Sequence, residues 1–458
     1  MVLALGGALA WGLRLAAPHL DRLRGKPAVS RVEVPPQGPA RTPGRALVLA
    51  ERARYGFAIY HLPQPKSDPR AALERLLPGF PGLEATRATV TVPKIEISSY
   101  APPELATLKH SGRGLSESQA RDLQESKSVF GLDFSYRPSE GYGVLRDSGA
   151  LLLALARETG GLLWDEETRE TFSPEEWERA RVETWESGLP DVTRHITIHL
   201  YRNGTFLRAV TLGMAKFGLP DVVVNDLTAS NSRAIGSLIN LACQTLVERG
   251  GLDANGALPV NVSELKVRAV RDTLTKGYGK GARGRAVLTL VEGVKERGDA
   301  ANPLLEISFP RPASVHLQEE HDAVTASVFG ATDSITHVEH DEELLAASRA
   351  QTAKLPALAA LFREGLAPGE HILLKAPFST DAGGNEWMWV EVIGWKGGEV
   401  EGILQNDPFE VAGLKAGARV RFSDAVVFDF IHYFPDGRQE GNETGKIMLR
   451  RESAKKAG

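Results

Sequence analysis

The stretch GGNEWMWVEVIGWKGGEVEGILQNDPF, residues 383–409, places three of the chain's seven tryptophans within nine positions. Read as a strand, it sends Trp387, Trp389, Ile393 and Trp395 to one side and Met388, Val390 and Val392 to the other. Both faces are then apolar, so the strand demands cover on two sides. The turn at 396–399, Lys-Gly-Gly-Glu, makes a hairpin with VEGILQN, and GLKAGARVRF supplies a further turn and strand. A small, mostly antiparallel barrel-like domain buries only its inner face, and the outer face needs something else. The helix begun at DEELLAASRAQTAKL and restarted by Pro356 carries Leu355, Leu358, Leu361 and Phe362 on one face, which makes it the natural cover. The tryptophans are therefore read first as core. A second reading, a binding floor, keeps Trp387, Trp389, Asn406 and Asp407 as candidate ligand-binding residues. The Asn-Asp-Pro corner itself is expected to be structural, since Pro408 fixes φ and the Asn and Asp side chains can bond their own backbone.

The segment EWMWVEVIGWKGGEVEGILQNDPFEVAGLKAGARVRFSDAVVFDF resembles the YegJ-like bacterial domain of unknown function 2314. The resemblance lies in its Trp-Val start, its Gly-x-Leu-x-Asn-Asp-Pro-Phe centre, and its Leu-Lys-x-Gly turn followed by an Asp-containing end. It covers roughly residues 341–450. It implies a compact domain at the end of varied bacterial proteins, sometimes beside ankyrin-type repeats, and brings no activity, cofactor or catalytic residue with it. LARETGGLLWDEETRE and TLGMAKFGLPD are similar to segments that accompany such domains.

The remaining chain reads as two mixed α/β units, giving an α+β protein with the β-rich domain and its covering helix at the C-terminal end. Residues 46–110 form the expected first unit, and 116–340 an α+β middle domain. Residues 341–450 form the YegJ-like domain, and 451–458 a basic tail. In the middle domain, LSESQARDLQESK carries a Ser at a cap position before a helical pattern, and SPEEWERARVETW reads as another capped helix. TRHITIHLY and TFLRAVTLG pair through Asn203-Gly204. A long helix is expected near Ser230–Glu248. Residues 1–18, MVLALGGALAWGLRLAAP, are apolar but interrupted by Arg14 and form a candidate membrane anchor. The Pro/Arg-rich linker at 19–45 would place the bulk of the chain on the cytoplasmic side. The competing reading is a frayed soluble terminus or a misplaced start codon.

Composition narrows the chemistry. Fifty-four basic and 58 acidic residues leave a formal charge of −4, so nothing draws the chain globally to nucleic acid. The single cysteine, Cys243, excludes an internal disulfide framework and sits in an apolar helical stretch as an expected core thiol. GKGARG at 279–284 fits G-x-G-x-x-G, but a strand rather than a helix follows, so it reads as a basic hairpin loop. His195 and His199 flank a strand-forming run, which would hold the imidazoles roughly 13 Å apart, too far to share an ion. Lys216, in a Gly-Pro-punctuated turn, is expected at the surface. The densest metal-type segment is 316–341, where His316, His321, His337 and His340 accompany Glu319, Glu320, Glu339 and Asp341, although no H-E-x-x-H is present.

Two function classes remain. One is a non-catalytic interaction or ligand-binding protein, taking a protein or small-ligand partner and no cofactor. The alternative is a hydrolase or metal-dependent enzyme using the His/Glu segment.

Overall fold

The computed structural model describes residues 30–32, 50–85, 89–253, 255–309, 317–330, 341–380, 384–406, 408, 410–411, 413–435 and 438–457. The architecture is mixed α+β, organised by three larger sheets. The candidate anchor at 1–18 lies outside the described residues. Among those described, no helix is long and apolar enough to cross a membrane.

The N-terminal sheet runs Thr89–Thr91, Val129–Tyr136, Ala53–Tyr60, Leu162–Asp165, Glu170–Phe172 and Gly112–Arg113. Alternation divides its strands sharply. Tyr55, Phe57, Ile59, Leu132, Phe134 and Tyr136 are buried in one hydrophobic core with the Leu-rich helix Gly143–Thr159. The opposite face carries Arg54, Gly56, Ala58, Asp133 and Ser135. Trp177 closes the core edge-on against Phe57, with ring centres 5.0 Å apart, and its indole N–H donates to the Gly149 carbonyl at 2.9 Å. Ser173 caps the short helix that holds Trp177, and Ser116 with Gln119 forms a reciprocal capping box.

The central sheet runs Thr197–Asn203, Phe206–Leu212, Asp221–Leu227, Leu304–Ser308, Arg285–Glu292 and Ala257–Asn261. Its first two strands form the expected hairpin, with Gly204 at φ +61°, a left-handed conformation that glycine adopts without steric cost. The helix Ser232–Arg249 buries Leu238, Leu241, Cys243 and Leu246 in the core shared with the N-terminal sheet. Residues 279–284 form a loop leading directly into Arg285–Glu292.

Lys216 corrects the sequence reading, for it is fully buried rather than exposed. It forms an ion pair with Asp165, which also receives Arg181 at 3.0 Å. Burial alone would raise the Asp165 carboxyl pKa, but the Lys216 and Arg181 charges outweigh it and hold it below the usual range. A turn residue is thus core because a distant strand end, Asp165, supplies the carboxylate that its dry ammonium needs. His195 is also buried beside this cluster, against Trp185, whereas His199 lies at an exposed strand position.

The C-terminal sheet is antiparallel throughout, in the order Ser30–Val32, Arg419–Ser423, Glu399–Leu404, Gly384–Lys396, His371–Thr380, Asp429–Tyr433 and Gln439–Gly441. It does not close into a barrel: Ser30–Val32 and Gln439–Gly441 remain opposite edges. The barrel expectation fails because both faces of the central strands are apolar, and an open sheet used as a middle layer buries both. The helix Leu355–Glu364 covers one face through Leu355, Leu358 and Phe362, against Met388, Val390, Val392 and Trp395. The helices Glu342–Thr352 and Glu443–Ala457 cover Trp387 through Leu344, Leu345 and Met448. Trp389 joins the large core of the preceding sheets.

Trp395 is therefore on the face opposite Trp387 and Trp389, contrary to simple alternation. The register against Glu399–Leu404 shifts between Val392 and Gly394, and this bulge turns everything beyond it over.

Candidate functional site

A cavity of about 590 Å³ opens where the helix Glu342–Thr352, the start of Leu355–Glu364 and the turn 424–428 meet. Leu345, Trp387, Val427 and Phe428 give it an apolar interior, while Ser348, Arg349, Thr352 and Asp424 supply polar groups. Each wall has a local cause. Asp341 caps its helix by accepting from the Leu344 N–H at 3.1 Å, which sets the face that carries Leu345, Ser348 and Thr352 inward. Pro356 breaks the chain into a second helix and leaves a corner there. Across it, Ser423 accepts from the Ala425 N–H at 3.3 Å and shapes the short turn 424–426.

The interior is tied together at three points. Trp387 packs on Phe428 with ring centres 4.9 Å apart. The Ser348 hydroxyl donates to the Phe428 carbonyl at 2.7 Å. Asp424 accepts from the Trp395 indole N–H at 3.0 Å, so the two tryptophans that leave opposite faces of one strand brace the same pocket wall. Arg349 lies mostly exposed at the rim and pairs with Glu342. Such a site can receive an apolar or aromatic group and offer its substituents one cation, one carboxylate and two hydroxyls.

Of the candidate ligand residues, Trp387 is brought to this cavity and is only 1% exposed, as its inner wall. Trp389 is fully buried elsewhere, with the Lys375 ammonium 5.6 Å over its ring. Asn406 is also buried, at the strap where Gln405 accepts from the Ser230 N–H at 3.1 Å and joins the C-terminal sheet to the loop before Ser232–Arg249. Asp407 lies outside the described residues. The structure thus does not gather Trp387, Trp389 and Asn406 at one cavity. Of the candidate metal ligands, His316, His337 and His340 lie outside the described residues. His321 is buried edge-on against Phe309 at 4.3 Å, with Nδ1 3.5 Å from the Asn231 amide. Among the described residues no group of three His, Cys, Asp or Glu side chains could hold a metal ion.

Sequence reasoning missed Ser348, Arg349, Thr352, Asp424 and Phe428 as pocket residues. Their only signal was position: the inward face of a helix ending at a Pro restart, and the turn inside FSDAVVFDF.

Residues 346–457 match the model of a family described as an uncharacterized protein conserved in bacteria (DUF2314). No curated protein and no solved structure matches the chain. The cavity falls almost wholly within the matched region, with only Leu345 before it.

Proposed function

We propose that this protein, whose C-terminal region is a DUF2314 domain, is a non-catalytic ligand-binding or interaction protein that receives an apolar or aromatic group in the Trp387 pocket. The observation that carries this reading is the pocket's make-up: a preformed apolar interior of ligand size, with Ser348, Arg349, Thr352 and Asp424 placed around it. A preformed pocket binds without the ordering cost of a mobile one. Its polar groups are engaged in holding walls together, as Asp424 and Ser348 are, which suits recognition rather than acid-base chemistry.

The test uses an aromatic sulfonate, 1-anilinonaphthalene-8-sulfonate, titrated into the full chain by fluorescence. It should bind with one-to-one stoichiometry. Thr352→Trp, which fills the cavity from its partly exposed wall, should weaken binding by about tenfold or more, a difference of about 1.4 kcal/mol. Equal binding by the filled variant at unchanged melting temperature would overturn the assignment of this pocket.

A further inference from the structure

A second cavity, about 540 Å³, lies at the Arg54–Gly56 end of the other face of the N-terminal sheet, beyond the part packed by Tyr60, Leu108 and Leu123, and is lined by Arg52, Arg54, Asp133, Ser135, Glu166 and Glu167, among others. Strand pairing fixes its layout. Gly56 stands opposite Asp133 on one side, and its carbonyl accepts from the Glu166 N–H at 3.2 Å on the other. Asp133 and Glu166 therefore flank a central strand that has no side chain between them, on strands about 10 Å apart. A Cβ on Gly56 would collide with the Glu166 carboxylate, which lies across that bare floor, held by the Tyr100 hydroxyl. One row along the sheet, about 7 Å away, stands Arg54, opposite Ser135. Arg52 is fixed beside it, donating to the Ser135 hydroxyl at 2.9 Å and carbonyl at 2.8 Å.

The charges in this cavity are uncommitted in an instructive way. The side chains of Arg54, Asp133 and Glu167 have no hydrogen-bond or ion-pair partner among the described residues, although cation and carboxylates share one cavity. Opposite charges this close on a free surface ordinarily pair. Here the cavity is lined by both. Burial raises the carboxyls of Asp133 and Glu166, and burial followed by the Asp165 charge pushes Glu167 up to about 7. A cation bound among them would lower each again.

We propose that this cleft binds a small zwitterion of the α-amino-acid class, its carboxylate on Arg54 and its ammonium among Asp133, Glu166 and Glu167. A purely anionic ligand would face three carboxylates, and a purely cationic one would leave Arg54 unanswered. The two-sided arrangement selects for both charges on one small molecule. The inference is independent of the Trp387 pocket.

The common L-amino acids, titrated singly into the full chain by calorimetry near pH 7, should include at least one that binds one-to-one with Kd below about 1 mM. Its decarboxylated amine and its N-acetyl form should each bind at least about tenfold more weakly. Arg54→Gln and Asp133→Asn, both at exposed positions, should fold as the parent does and each lose at least about tenfold in affinity, whereas Thr352→Trp should lose none. Absence of binding by every amino acid, or undiminished binding by Arg54→Gln and Asp133→Asn, would overturn the proposal.

Discussion

The N-terminal and C-terminal sheets use the same two-residue period to opposite ends. In the C-terminal sheet the strand Gly384–Lys396 is mainly apolar on both faces, with Glu386 and Glu391 buried and partnered, and becomes a middle layer, covered by Leu355–Glu364 on one side and by Trp387- and Trp389-centred packing on the other. In the N-terminal sheet the strand Ala53–Tyr60 buries Tyr55, Phe57 and Ile59 on one face, while its other face is divided: Tyr60 packs with Leu108, Leu123 and Leu162, and the end with Arg54 and Gly56 keeps a charged cleft. Cover follows composition face by face. Where small and charged residues share a face, a sheet retains a cavity; where both faces are apolar, cavities survive only at the corners between covering helices.

The largest effect that would sharpen this contrast lies beneath the cleft, at the buried ion cluster. Asp165→Asn leaves Lys216 without its carboxylate and Arg181 with Glu170 alone, and should cost about 3–5 kcal/mol in denaturant unfolding. Because the folded Asp165 is held below its unfolded pKa of about 3.9, its contribution is present above that pH and is lost as pH falls through the folded value. A parent protein whose acid unfolding is identical to that of Asp165→Asn would break the picture of a dry charged layer.

Trp389→Ala removes the indole that joins the C-terminal sheet to the large core and should cost a comparable amount, about 3–5 kcal/mol. The same position makes a spectroscopic expectation. In a fragment spanning 341–457, Trp387 and Trp395 keep their covering helices, whereas Trp389 loses its cover. A soluble quencher should therefore reach one tryptophan of the three. Complete protection of all three would show that the C-terminal sheet supplies its own second layer.

A smaller and opposite change belongs to the cleft. Glu167 is pushed up to about 7, above its unfolded value of about 4.3, so stability present below the unfolded value is lost as pH rises through 7. Glu167→Gln should flatten that slope and stabilise the protein at pH 8 by on the order of 1 kcal/mol. An unchanged slope between pH 5 and 8 would place the pH dependence elsewhere. The smallest effect is at the surface, where Arg451 joins Glu443–Ala457 to Asp341 and Glu343: Arg451→Ala should cost less than about 1 kcal/mol and be masked by salt. A larger loss would show that this helix depends on its charges rather than on Met448 against Trp387.

Much of the local structure was legible in the sequence. The hairpin at Asn203-Gly204, the Ser116 and Ser173 caps, the Pro356 restart and the strand character of 384–396 all rest on neighbours within a few residues. The site was legible only in part. Trp387 stood out as an aromatic, yet its pocket partners Ser348 and Asp424 are distant in sequence and chemically ordinary.

What the sequence determined by itself was the need for two covered faces at Trp387–Trp395 and the inert burial of Cys243, because alternation and apolar content fix which side chains must leave water. What the tertiary structure decided was who supplies the cover. The bulge between Val392 and Gly394 moved Trp395 to the opposite face, and the sheet remained open because two sets of helices and a neighbouring core were available to it. Lys216 shows the same division: nothing within its turn distinguishes a buried lysine from an exposed one, and it is the arrival of Asp165, 51 positions away in the chain, that makes burial of its charge tolerable. Periodicity is a property of adjacent residues, whereas desolvation depends on everything the fold brings near.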